Sequence, residues 1–194
     1  MSVLNKYGRV LVISPGQAGD EIRGLLSQVF SAAVECQSAT EGRRKAGSES
    51  FDAVIVNTPL ADEFGVQTAI DLAGKDPDVQ VILMVKAEIY EKVTYKVGNL
   101  GIFVMTKPVK RQSMLEAARM ALAASVRVKL LKTENARLKR KLDELSVTSR
   151  AKCLLIEKRG FTEEEAHHYL EKTAMDQSLT KKEVADKIIK EYAT

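Results

Sequence analysis

The chain has little to offer disulfide or metal chemistry. Its 194 residues include only two cysteines. Cys36 and Cys153 lie far apart, and neither has a Cys or His beside it at metal-ligand spacing. Both are read as ordinary thiols, and no metal or cofactor is expected. Long hydrophobic runs are also missing: Met120 to Ser125 and Val81 to Val85 fall far short of the ~20 apolar residues that a bilayer-spanning helix needs. No basic segment followed by an apolar run opens the chain. A cytoplasmic protein with no membrane partner is the expectation. The net charge of +4 is too small to name a partner, so its distribution matters more. The last absence is local. Neither Gly nor Pro occurs between Pro108 and Gly160, and nothing there interrupts a helix.

What is present falls into three segments. Arg9 to Ile13, Ala33 to Cys36, Ala53 to Asn57, Val81 to Val85 and Ile102 to Thr106 are short and β-rich. Most are apolar on both faces, as buried strands of a parallel sheet are. Ala18 to Phe30, Ala39 to Ala46, Gly65 to Gly74 and Ala87 to Val97 between them have helical apolar spacing. The alternation predicts an α/β fold, a flavodoxin-like doubly wound five-stranded parallel sheet, over residues 1–122. Over 123–147, Leu131, Leu138 and Leu145 recur every seven residues, with Val128, Asn135 and Leu142 at the complementary positions. This heptad seam predicts a homodimer through a parallel coiled coil. Asn135 would satisfy its amide against its twin, and Glu134 and Lys139 occupy flanking positions that can pair between chains. Residues 148–194 predict a three-helix bundle. Its first helix, Ala151 to Lys158, ends at Gly160. A capping box at Thr162 to Glu165 opens the second, and Ser178 or Thr180 begins the third. Fourteen Lys and Arg against five Asp and Glu lie between Lys110 and Gly160, a charge suited to a polyanion.

The first segment resembles the receiver domain of two-component response regulators. The match lies in the strand pattern, in Asp52 five residues before the phosphorylation position, and in Lys107-Pro108 after the fifth strand. Receivers hold Mg²⁺ with acidic residues after the first strand, where this chain has Ser14 and Pro15. Their nucleophilic aspartate is replaced by Asn57, whose amide cannot form an acyl phosphate. Their Ser or Thr after the fourth strand is replaced by Lys86, so Lys107 alone survives. This degenerate site implies a pseudo-receiver outside conventional phosphorylation, whose partner is left open between a signalling protein and a small ligand.

The last segment resembles the ANTAR domain, the RNA-binding module of bacterial antiterminators. Ala151-Lys152, Leu154-Leu155, Arg159-Gly160, Glu165-Ala166, Tyr169-Leu170, Ala174-Met175 and Val184-Ala185 follow that family's order and spacing. Cys153 and Ile156 depart from it, in place of a residue that is often Gly and one that is frequently Met. The resemblance implies a non-enzymatic dimer that binds RNA hairpins in leader transcripts and prevents terminator formation. Arg150, Lys152, Lys158 and Arg159 are the candidate RNA contacts, Lys152 foremost. Tyr169 is expected in the core, and His167 and His168 in solvent. The competing reading is a protein-interaction adaptor without RNA activity.

Overall fold

A computed structural model describes residues 7–192. Five parallel strands, β1 (Arg9–Ile13), β2 (Ala32–Cys36), β3 (Ala53–Asn57), β4 (Gln80–Lys86) and β5 (Phe103–Lys107), form one sheet in the order β2-β1-β3-β4-β5. Helices α1 (Gln17–Leu26), α2 (Ala39–Ser48), α3 (Val66–Lys75) and α4 (Tyr90–Val97) make the crossovers. Because side chains alternate along a strand, the sheet feeds two cores. Leu11, Ile13, Val54, Val56 and Leu83 pack on one face with Ala39, Leu72 and Val93 from α2, α3 and α4. Val10, Val12, Ile55, Ile82 and Met84 pack on the other with Leu26 of α1 and with Met114, Ala118 and Leu122. That double burial explains why the strands read as apolar runs rather than alternating ones.

Met114, Ala118 and Leu122 belong to α5 (Arg111–Arg159), 49 residues without a break. The segment expected as a separate first bundle helix is therefore the end of α5. Ser146, Thr148 and Ser149 are of the cap-forming type, but with no Gly or Pro to break the chain the ladder continues through them. Gly160, at φ 69°, stops it by donating its N–H to the Ile156 carbonyl at 3.1 Å, as a left-handed C′ glycine does.

The chain divides into two compact units after Leu130. In the second, the end of α5 packs with α6 (Glu163–Asp176) and α7 (Lys181–Tyr192). Ala151, Leu155, Ala166, Leu170, Ala174, Val184, Ala185 and Ile188 form its core. The capping box at Thr162 and Glu165 is present. The α6–α7 turn resolves the other expectation in favour of Thr180: Glu183 donates its N–H to Thr180 Oγ1 at 3.2 Å and accepts the Thr180 N–H at 2.8 Å. Ser178 instead takes the left-handed position, φ 54°, that ends α6.

Candidate functional site

The basic residues of α5 fall into two groups. Lys139, Arg140, Lys141 and Arg150 are exposed. None has a hydrogen-bond or ion-pair partner among the described residues. Arg137 differs, because Glu134 accepts from its guanidinium at 3.0 and 3.1 Å. Beyond Arg150 the side chains are increasingly committed to the protein itself. Lys152 does not project freely, since its ammonium pairs with Glu163 on α6 and its side chain is only 19% exposed. That position follows from its neighbours, because Ala151 is fully buried against α6 and α7 and draws the next residue to the bundle's edge. Lys158 stays outward, paired with adjacent Glu157 at 2.8 Å.

Arg159 is held most firmly. Its guanidinium donates to the Tyr192 hydroxyl at 2.5 Å, to the Tyr169 hydroxyl at 3.2 Å and to Glu191 at 3.1 Å. It also lies 5.4 Å from the Tyr169 ring centroid and 5.7 Å from that of Tyr192. Hydrogen bonding to Tyr192 and then Tyr169 raises its pKa. A planar five-donor fork is the side chain that can serve three acceptors and two rings together. Tyr169 is half-buried and packs edge-on against Phe161 at 5.6 Å, while His167 and His168 are exposed. Sequence reading offered Arg159 as an RNA contact and overlooked Glu191 and Tyr192. The heptad and family patterns carry no signal for a contact some 30 residues away.

The residues expected to form a degenerate receiver site lie at the carboxyl ends of the strands, where doubly wound sheets place their chemistry. Ser14 follows β1 and is fully buried; Asn57 ends β3 and is nearly so. The Asn57 amide donates from Nδ2 to Ser14 Oγ at 2.9 Å, and its Oδ1 is buried without a partner among the described residues. Pro15 is half-buried beside them. Lys107 ends β5 and donates to the Thr58 carbonyl. Burial, then the charge of Lys86, pushes its pKa down. Lys86, in register with Lys107 across β4 and β5, is exposed. The strands thus bring Ser14, Asn57 and Lys107 to one edge. A hydroxyl, an amide and two ammonium groups do not suit a divalent cation, which wants carboxylate oxygens. Asn57 offers no carboxylate that could form an acyl phosphate.

Asp52 stands at the opposite, amino end of β3. Its carboxylate accepts the Arg9 N–H at 2.7 Å and the Ser125 hydroxyl at 3.2 Å, and pairs with Lys129. The loop holding it is closely fitted. Gly8 has φ 80°, and a Cβ there would lie 2.5 Å from Leu122 and 3.0 Å from Asp52. Sequence reading noticed Asp52 only as a spacing marker.

Comparison with known proteins places both units. Residues 136–189 match the ANTAR domain model. The transcriptional regulatory protein PdtaR of Mycobacterium tuberculosis is 26% identical over 144 residues, 74% of this chain and 69% of that protein. The sheet resembles the signal receiver domain of an HD domain-containing protein from Pseudomonas fluorescens, with TM-score 0.57 and 21% identity over 66% of this chain and 96% of that one. A CheY-like receiver domain from Methanospirillum hungatei gives TM-score 0.55 and 20% identity over 63% and 98%. The chain therefore joins a receiver-like fold to an ANTAR domain. The family match begins at residue 136, ahead of the boundary at 148 expected from the sequence.

Proposed function

We propose that this chain is an RNA-binding transcription antitermination regulator, acting as a dimer on leader-transcript hairpins in the cytoplasm and outside aspartyl phosphorylation. The ANTAR match over residues 136–189 carries this reading. The free cations Lys139, Arg140, Lys141 and Arg150 supply the positive surface that a phosphate backbone requires. Leu131, Leu138, Leu142 and Leu145 are about half or more exposed, so these leucines of the heptad seam are left uncovered by the described residues. Asn135 and half-buried Val128 complete its expected pattern. No catalytic role is assigned. No described helix is long and apolar enough to cross a membrane.

Arg150 and Lys158 remain outward-facing RNA contacts in this reading. Lys152 and Arg159 serve first by holding the helix ends together, and reach RNA only by exchanging their present partners. The test is selection from hairpins with randomised loops, followed by filter retention of the winner across a salt series. Each lost phosphate contact, as in Arg150→Ala, should reduce the salt slope by about one unit. Failure to enrich any hairpin, with dimer and helix content intact, would leave the adaptor reading in place.

A further inference from the structure

Ser14, Asn57, Lys86 and Lys107 stand at the carboxyl ends of β1, β3, β4 and β5, and strand alternation gives all four the same face. It is the face of Val12, Ile55, Met84 and Met105, each two residues earlier on its strand. On that face lies an open groove of about 560 Å³ between α1 and the start of α5. Ile22, Leu25, Met84 and Met114 give it an apolar floor, and exposed Arg111 and Glu21 stand at its rim. Met84 is about 7 Å along β4 from Lys86, and Val109, also in the lining, is two residues beyond Lys107.

Lys107 is half-buried and donates to the Thr58 carbonyl, with Lys86 beside it in register. No carboxylate contacts either ammonium among the described residues. Asn57 is neutral, and the acids of the loop after β3 are engaged elsewhere: Asp62 accepts the N–H groups of Ala39 and Thr40, and Glu63 pairs with Arg43. Burial, then the charge of Lys86, disfavours the ammonium form of Lys107 and lowers its pKa. An amine so placed keeps the lone pair that attack on a carbonyl carbon requires.

We propose that Lys107 captures a small aldehyde, one whose apolar body lies in the groove between α1 and α5 and whose anionic group meets Lys86 and Arg111. The Nζ lone pair adds to the carbonyl carbon, a proton passes from nitrogen to oxygen, and loss of water leaves a C=N bond. Nothing is oxidised or reduced, and water reverses the step. The site rests on the pseudo-receiver reading above and not on RNA binding. It would give this unit a reversible small-molecule input where a receiver takes a phosphoryl group.

Pyridoxal phosphate, an aromatic aldehyde bearing a phosphate, is the probe. Incubated with the full chain at neutral pH and reduced with borohydride, it should leave one principal adduct that peptide mass maps to Lys107, and Lys107→Arg should remove that adduct. Pyridoxal, which lacks the phosphate, should need about tenfold more reagent for the same yield. Lys86→Gln should narrow that difference. Formaldehyde with cyanoborohydride, a neutral reagent, reads the amine alone. Asn57→Asp, which returns a carboxylate next to Thr58, should slow methylation of Lys107 several-fold by restoring its charge, in protein whose helix content matches the parent. Labelling of exposed Lys172 and Lys190 as heavy as that of Lys107 would overturn the proposal, as would a folded Asn57→Asp chain in which Lys107 reacts as fast as before. Equal capture of pyridoxal and its phosphate would strike out the anionic class of ligand. Phosphorylation of the parent chain by acetyl phosphate is a separate failure, that of the pseudo-receiver reading itself.

Discussion

Asn57 and Asp52 occupy opposite ends of β3, and each makes a separable prediction. Asn57 is bonded to Ser14 where a receiver would place acids around a metal. Acetyl phosphate with Mg²⁺ should therefore leave the chain unmodified by intact mass. Asn57→Asp should stay unmodified too, because Ser14 and Pro15 still offer no carboxylate. Stoichiometric phosphorylation of the parent would contradict the pseudo-receiver reading. Asp52 is a stability residue. Burial pushes its pKa up, but Lys129, the Arg9 N–H and Ser125 together outweigh that and hold it below 3.8. A depressed folded pKa stabilises above the unfolded value and loses that contribution as pH falls through the folded one. Asp52→Ala should thus cost about 1–3 kcal/mol at neutral pH, by stranding the Arg9 N–H and its other donors. The difference from the parent in urea denaturation should shrink below about pH 4.

At the scale of elements, the second unit depends on how its helices end. Gly160 has φ 69°, with open space where a Cβ would go. Gly160→Ala should therefore cost about 1–2 kcal/mol by conformation alone. Ser178 already bears that strain at φ 54°, so Ser178→Gly should stabilise by up to about 1 kcal/mol. Both are readable by thermal denaturation of the full chain, and a neutral Gly160→Ala would mean that the left-handed cap is dispensable. The Arg159 clamp leads to a sharper expectation. Arg159→Gln removes the charge and cannot serve Tyr169, Tyr192 and Glu191 together. It should lower the melting temperature while leaving the salt slope of RNA binding unchanged. A lost unit of slope with unchanged stability would return Arg159 to the RNA surface.

At the scale of the whole molecule, association is the expected property. Leu131→Lys with Leu138→Lys would place charge against charge across the seam, and should convert dimer to monomer by light scattering. Unchanged mass would assign the contact to another surface. The five-stranded parallel sheet and the capping box at Thr162 were legible from sequence, because apolar runs and S/T-x-x-E signals are local. The replacement of acids by Ser14, Pro15 and Asn57 was legible for the same reason: side-chain chemistry needs no coordinates. Tertiary structure alone decided the rest. It joined the heptad segment to the first bundle helix as one α5 through Arg159, a continuity that the absence of Gly and Pro permits but does not require. It set Ser14 against Asn57 and Asp52 against Lys129, pairings between residues distant in the chain. It also sorted the basic residues, leaving Arg150 free while drawing Lys152 to Glu163 and Arg159 between two tyrosines. Sequence determined how much positive charge this helix carries. Only the fold determined which charges remain available, because a cation's availability depends on the acceptors that folding brings within reach.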